Sequence, residues 1–141
     1  MYVRPKNLDE VITLMSKDTW SIFAGGTDIY PSIGERPIKT PFIDLTNVCD
    51  LKGITEDDSF WRIGAVATWT ELIKTKLPPG FNALKQAARE IGSIQIQNRA
   101  TIAGNICNAS PAADGVPALR ILNASVELTS VSGTRDVALK D

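Results

Sequence analysis

The sequence contains no histidine, and this absence removes several kinds of chemistry before any motif is considered. Without an imidazole there is no Ser-His-Asp triad, no Cys-His pair, no histidine zinc ligand and no ordinary general base near neutral pH. The two cysteines, Cys49 and Cys107, form no CxxC pair, so the sequence predicts neither a thiolate zinc site nor an iron–sulfur cluster. We therefore expect no metal site and no catalytic acid or base in this chain.

An excess of charge of one sign and a long apolar run are also missing. The 15 basic and 16 acidic residues nearly cancel, which removes the usual signature of non-specific nucleic-acid binding. The longest uncharged stretch, residues 100–113, contains Gly, Asn, Ser and Pro and is shorter than the ~20 apolar residues of a membrane span. No basic segment followed by an apolar one opens the sequence, so we expect a reduced, cytoplasmic setting.

The 141 residues, 43% of them apolar, are enough for one domain or two small lobes. In residues 1–53, a capping pattern at Asn7 and Glu10 predicts a helix over 8–17, and apolar runs predict strands over 20–24 and 42–45. The pattern changes near residue 54, and we place a second lobe over 54–141.

Strand and helix signals alternate in the predicted second lobe. Residues 60–66 and 94–97 favour strands, the latter because Ile and Gln alternate, and residues 125–139 predict a hairpin turning at 132–133. Capping and apolar periodicity predict helices over 68–75, 81–91 and 115–123.

The first candidate site is the turn FAGGTD at residues 23–28, between a predicted strand and a predicted helix. Glycine lets a ligand approach the backbone, and the start of a helix favours an anion, so this turn can hold a pyrophosphate. The same residues also suit a sharp structural turn, and the GxGxxG fingerprint is absent. Both interpretations stay open on the sequence alone.

The second candidate site is a run of small, hydroxyl and amide residues from Thr101 to Asn105, with Asp114 further on. Amides and hydroxyls are neutral donors to phosphate and ribose oxygens, whereas an ionised Asp114 only accepts and therefore suits ribose or ribityl hydroxyls. The alternative is structural, with Asp114 as a helix cap and Asn105 as a turn residue.

Together, FAGGTD at 23–28 and TIAGNICNASPAADGVPAL at 101–119 resemble the flavoprotein subunit or domain of the molybdenum hydroxylases, which include the xanthine dehydrogenases and aerobic carbon monoxide dehydrogenases. The resemblance extends over nearly the whole chain. It implies a two-lobed α+β fold of the vanillyl-alcohol-oxidase and p-cresol-methylhydroxylase type, with FAD between the lobes. Ala103 departs from the family, which often has glycine there.

The resemblance also implies which residues contact the flavin nucleotide. The implied FAD-binding residues are Ile22, Phe23, Ala24, Gly25, Gly26, Thr27, Asp28 and Ile29 in the first lobe and Thr101, Ile102, Ala103, Gly104, Asn105 and Asp114 in the second.

The implied function is an electron-transfer module of a molybdenum hydroxylase. An iron–sulfur subunit would deliver electrons, a molybdenum-cofactor subunit would hydroxylate the substrate, and FAD would pass the electrons to an acceptor such as NAD. Two alternatives remain on the sequence: a stand-alone flavin oxidoreductase of the same fold, or a non-catalytic nucleotide-binding or assembly module. Family subunits continue into a smaller C-terminal domain that this sequence, ending at Lys140-Asp141, does not include.

Overall fold

A computed structural model describes residues 1–34, 37 and 39–140 of the chain. Glu35, Arg36 and Ile38 of the predicted first lobe and Asp141 of the second lie outside the described residues. The α-helices are α1 (Leu8–Lys17), α2 (Ile29–Ile33), α3 (Trp69–Lys74), α4 (Asn82–Glu90), α5 (Ile94–Gln97), α6 (Ile102–Asn108) and α7 (Gly115–Ile121). The strands are β1 (Tyr2–Val3), β2 (Ser21–Phe23), β3 (Phe42–Asp44), β4 (Ile54–Glu56), β5 (Trp61–Ile63), β6 (Ser125–Ser130) and β7 (Gly133–Ala138).

Mixed helix and strand content agrees with the expected fold class at that level. Within the described part of the chain, none of the helices combines the length and the apolar character that crossing a membrane would require.

The first three strands form one parallel sheet in the order β1-β3-β2. Tyr2 pairs with Phe42, and Phe23 at the end of β2 pairs with Asp44 at the end of β3. All three strands run in the same direction, so their carboxyl ends, and the loops that follow them, lie at one edge of the sheet.

Helix α1 begins where the sequence predicts it. The Asn7 side chain accepts a hydrogen bond from the Glu10 backbone N–H (2.9 Å), and Val11, on the apolar face of the helix, is buried. The Glu10 carboxylate accepts from the N–H of Lys6 and not of Asn7, so the reciprocal half of the capping box is displaced by one residue.

The later part of the chain contains two antiparallel ladders, β4-β5 and β6-β7, and most of the helices. The helix predicted over 68–75 is confirmed as α3, which begins with a complete capping box of Thr68 and Glu71. The helix predicted over 81–91 is confirmed as α4, and Gly92, with φ of +52°, lies beyond its end in the left-handed region. The hairpin is confirmed too, although its two-residue turn falls at Val131 and Ser132, one position earlier than predicted.

The predicted strand over 94–97 is wrong, because these residues form the short helix α5. The Ser93 side chain caps it by accepting from the Ile96 N–H, and the buried Gln97 side chain donates to the Arg89 carbonyl at 3.0 Å. Four alternating residues fit either structure, and here a capping serine and a buried polar contact decide for the helix.

Buried apolar residues form two clusters. The first contains Val11, Ile43 and Val48, and the second contains Trp69, Leu72, Leu84, Ala88, Ile91, Ala100, Ile102, Ala118 and Leu119. Leu51 packs against the first cluster and Ile54 against the second, so the change of packing unit falls between these two positions.

Candidate functional site: a cleft between two segments

A cleft of about 570 Å³ lies beside the edge of the parallel sheet where its strands end. Four of the predicted site residues line it: Phe23, Ala24, Gly25 and Thr101. Its other lining residues are Tyr2, Arg4, Tyr30, Asp44, Thr46, Lys52, Gly53, Val66, Thr68, Glu71, Asn98 and Arg99. The two candidate segments, far apart in sequence, therefore meet in one place.

The glycine turn, defined here as residues 24–28, follows strand β2 directly. Gly26 has φ of +73°, and a Cβ built on it would lie 2.7 Å from the Phe23 ring and 2.9 Å from that of Tyr30. Only glycine fits this position without strain, both for its backbone conformation and for the space around it. The second glycine of the motif is thus required by the turn itself.

Gly25 serves a different purpose, because it packs against the other candidate segment. A Cβ on Gly25 would overlap the carbonyl oxygen of Arg99 and lie 3.0 Å from the Cα of Ala100. The missing side chain lets the turn contact this backbone, which immediately precedes Thr101. Close approach of backbone to backbone at Gly25 thereby sets the distance between the two segments.

The backbone donors of the glycine turn are largely uncommitted. Among the described residues, the N–H groups of residues 25–29 donate no hydrogen bond to a protein acceptor, and the Tyr30 N–H is the first that does, to the Gly26 carbonyl at 3.2 Å. Helix α2 has only five residues, and the Asp28 side chain makes no capping bond. A ligand acceptor can therefore use these donors without displacing a protein group.

The threonine segment, residues 101–105, forms the start of helix α6, a helix that the sequence does not predict. Thr101 caps the helix, its Oγ1 accepting from the Gly104 N–H at 3.0 Å. Backbone bonds from Trp69 N–H to the Ala100 carbonyl (3.2 Å) and from Ile102 N–H to the Ala67 carbonyl (3.1 Å) fix the segment to the start of α3.

Asn105 lies inside α6, so its interpretation as a turn residue is wrong. Its Oδ1 is buried and has no hydrogen-bond partner in the described structure, and neither has the buried Nε1 of Trp69. A Cβ on Gly115 would lie 3.2 Å from that Oδ1, which puts the start of helix α7, and hence Asp114, next to Asn105. An unpaired buried acceptor is costly, so a ligand donor at this point would be favourable.

Asp114 precedes α7, but its carboxylate makes no capping bond to the helix. The residue is exposed, and its carboxylate accepts no hydrogen bond from any described group. A carboxylate without such a partner can accept hydrogen bonds from the hydroxyl groups of a ligand.

The remaining predicted residues lie in or near the two segments but do not line the cleft. Ile22, in β2, is 39% exposed, and Ile102 is buried in the second cluster. The predicted site residues that do not line the cleft are Ile22, Gly26, Thr27, Asp28, Ile29, Ile102, Ala103, Gly104, Asn105 and Asp114.

A buried carboxylate in the cleft was missed by the sequence analysis. Asp44, at the end of β3, accepts from the hydroxyl of Tyr2, from the Thr46 N–H (2.8 Å) and hydroxyl (2.6 Å), and pairs with Arg4 Nε at 3.0 Å. Burial alone would raise the pKa of the Asp44 carboxyl, but these hydrogen bonds and the Arg4 charge outweigh it and hold the pKa below its usual value.

The signal that could have found Asp44 is the sheet topology. Arg4, Asp44 and Ala24 each stand at or just after the carboxyl end of one of three parallel strands, and such strand ends meet at one edge. The sequence alone does not give the strand order, so these side chains could not be assigned to one site. The Tyr2 hydroxyl also responds to the arrangement, since its hydrogen bond to Asp44 and its burial raise the pKa of the phenol.

Comparison with known proteins gives consistent matches over the whole chain. The family described as "FAD binding domain in molybdopterin dehydrogenase" matches residues 1–141. The chain is similar to the nicotinate dehydrogenase FAD-subunit of Eubacterium barkeri, with 38% identity over 99% of this chain and 49% of that protein. It is also similar to the xanthine dehydrogenase FAD-binding subunit of Escherichia coli O157:H7, with 34% identity over 98% of this chain and 49% of that protein.

A solved structure, that of the reconstituted CO dehydrogenase from Oligotropha carboxidovorans, has the same fold over 99% of this chain and 50% of its own, with a TM-score of 0.89 and 31% identity. The chain spans about half the length of the curated relatives that it matches.

Proposed function

Because the chain belongs to the family of FAD binding domains in molybdopterin dehydrogenases, a family of oxidoreductases whose cofactor is FAD, we propose that the cleft between its two candidate segments holds the FAD diphosphate. The observation that carries this proposal is that Gly25, the first residue of the turn with an uncommitted N–H group, meets Thr101 at a single cleft, with the uncommitted N–H groups of residues 26–29 directly behind it in the chain. The contact residues we propose are those of 22–29 and 101–105, together with Asp114.

The chemistry of the donor set fits such a group. Phosphate oxygens are strong acceptors, and a charged acceptor strengthens each hydrogen bond from a backbone N–H. The Ala103 N–H, which donates to no described residue, adds a donor from the threonine segment. The buried Oδ1 of Asn105 and the Asp114 carboxylate would accept from hydroxyl groups of the same ligand.

We propose that the two buried clusters are the cores of two lobes, 1–53 and 54–141, that together form a flavin fold of the vanillyl-alcohol-oxidase type. The packing of Leu51 on the first cluster and of Ile54 on the second supports a boundary near Gly53. The cleft takes residues from both sides of that boundary, as expected of a site between lobes.

The proposed role is electron transfer within a larger complex. Bound FAD supplies the redox chemistry, while this chain binds and orients it and contributes no acid or base. Relatives are named as FAD or medium subunits of dehydrogenases, which supports a molybdenum-cofactor subunit and an iron–sulfur subunit as partners. NAD as the acceptor is proposed from the family resemblance of the sequence alone. Cys49 and Cys107 are exposed, unpaired thiols, which supports a cytoplasmic setting.

The substitution Ala24→Val tests the proposed site without disturbing a glycine. Ala24 is half-buried, lines the cleft and has no positive φ. The two methyl groups added by valine therefore reduce the space for a ligand, while the backbone of the turn can keep its conformation. Overpacking there lowers FAD affinity by about tenfold or more. Fluorescence titration with FAD measures this loss of affinity.

The matched control is Ala112→Val, at an exposed alanine that does not line the cleft. Its FAD affinity stays within about twofold of the parent, since surface changes are worth at most ~0.5 kcal/mol. A folded Ala24→Val protein with the affinity of the parent would show that FAD is not bound at the glycine turn.

A further inference from the structure

Two unpaired cations line the cleft, and neither belongs to the segments that the sequence marks. Lys52 and Arg99 are exposed, and neither makes an ion pair or a side-chain hydrogen bond with any residue that the structure describes. We propose that Lys52 and Arg99, two cations that line the same cleft, together neutralise the diphosphate of the bound cofactor. This inference rests on the proposed function.

The other charged groups of the cleft are already engaged. Arg4 is paired with Asp44 through its Nε, and its Nη2 donates to Thr46 Oγ1 at 3.3 Å. The Glu71 carboxylate accepts from the N–H and hydroxyl of Thr68 in the capping box. Of the cations lining the cleft, Lys52 and Arg99 are thus the two without a protein counter-charge among the described residues, and the Glu71 carboxylate is bound only to neutral donors.

Arg99 is connected directly to the glycine turn. Its carbonyl oxygen is the group against which Gly25 packs, and its own N–H donates to the Ile96 carbonyl at 2.9 Å, which fixes the backbone from which the side chain extends. Arg99 lines the same cleft as Gly25, the first residue of the turn with a free N–H group, and its guanidinium carries paired donors that match phosphate oxygens.

Lys52 approaches from the other packing unit. It follows Leu51, which packs on the first cluster, whereas Arg99 precedes Ala100, which is buried in the second. The Lys52 N–H donates to the Cys49 carbonyl at 3.2 Å and holds this end of the chain in place. A ligand between the two cations is therefore drawn toward both units.

The charge of the diphosphate explains why two cations are needed. Neutral N–H donors stabilise a phosphate oxygen but do not cancel its charge, and an uncompensated charge in a partly buried cleft is costly. A diphosphate carries two negative charges, one for each cation. The near-zero net charge of the chain leaves such local cations as the source of attraction.

Titration of the protein with FAD and with riboflavin, which has no phosphate, tests the inference. The variants are Lys52→Gln, Arg99→Gln and the double variant, each checked for folding by circular dichroism. We expect FAD affinity to fall about tenfold for each single change and about a hundredfold for both, with riboflavin affinity unchanged. The matched controls are Lys74→Gln and Arg120→Gln, exposed cations that do not line the cleft.

Salt gives an independent readout. Raising NaCl from about 50 to about 500 mM weakens FAD binding to the parent by screening, and this loss should be clearly smaller in the double variant. Variants that bind FAD like the parent, or that lose FAD and riboflavin equally, would overturn the inference while the proposed function stands. A parent that binds no FAD would instead overturn the proposed function.

Discussion

At the residue scale, the cleft depends on residues of the same type that have different structural roles. Gly25 and Gly26 are adjacent in one motif, yet Gly26 is needed for its positive φ and Gly25 for its contact with the Arg99 backbone. The motif is thus both a sharp turn and a docking surface for the second segment. Both roles belong to the structural interpretation of the turn, and its uncommitted N–H groups leave it able to bind a diphosphate as well, as we propose.

The change Gly25→Ala should destabilise the protein. The added methyl group overlaps the carbonyl of Arg99 and approaches the Cα of Ala100, both of which are backbone and cannot rotate away. We expect the free energy of unfolding to fall by about 1 to 3 kcal/mol, as measured by urea unfolding.

Gly80→Ala is the paired control, because a Cβ there meets nothing within 4 Å. Its stability should stay within ~0.5 kcal/mol of the parent. Equal stabilities for the two variants would mean that the two segments are not in contact at Gly25.

Asp44 gives a pH-dependent prediction. The pKa of the Asp44 carboxyl is lowered in the folded state. Its contribution to the free energy of unfolding is therefore fully present above the unfolded pKa of ~3.9 and is lost as the pH falls through the lower folded value. Asp44→Asn should therefore cost about 2 to 3 kcal/mol of unfolding free energy at pH ~7, through lost charge-assisted hydrogen bonds.

The cost of Asp44→Asn should shrink as the pH falls below about 4, where the Asp44 carboxylate of the unfolded parent begins to be protonated, and should vanish once the pH is below the folded value too. Urea unfolding of both proteins at neutral and acidic pH measures this difference. A cost that stays constant down to pH ~2 would show that the charge of Asp44 contributes nothing.

At the element scale, helix α3 is held at its start by a complete capping box. Thr68→Ala removes the bond from the Glu71 N–H to the hydroxyl and should cost about 1 kcal/mol in thermal or urea unfolding. Ser93→Ala is the comparison, because its capping bond to Ile96 N–H is 3.5 Å long and serves a four-residue helix. A larger loss at Ser93 than at Thr68 would contradict this ranking.

Elements with local signals were predicted well from the sequence, and elements decided by distant contacts were not. Helix α1, the capping box of α3 and the terminal hairpin carry their own caps and turns. Helix α5 has only four residues of ambiguous pattern, and its buried Gln97 is satisfied by a carbonyl of another helix. No sequence period reveals a contact of that kind.

The same reason limits prediction of the site. The glycine turn and Thr101 were found because each is a continuous motif. Asp44, Lys52 and Arg99 are single residues in unremarkable surroundings, and only tertiary contacts bring them to the cleft, such as the parallel sheet order for Asp44 and the Gly25 contact for Arg99. Their assignment needs the tertiary structure.

At the scale of the whole molecule, a ligand between two packing units should stabilise both. FAD at about 100 times its dissociation constant adds ~2.7 kcal/mol to the folded state. For a chain of this length, the melting temperature should then rise on the order of 10 °C. Calorimetry with and without FAD measures the shift, and an unchanged melting temperature at saturating FAD would contradict binding to the native state.

The central claim is that this chain holds a flavin by its diphosphate, and comparing FAD with FMN by isothermal titration tests it most directly. FMN has a single phosphate and lacks the second phosphoryl group of the diphosphate that we propose lies between the two segments. The account predicts one FAD per chain, bound at least about tenfold more tightly than FMN, a difference of ~1.4 kcal/mol. Equal affinities for the two flavins, or binding of FMN alone, would contradict it.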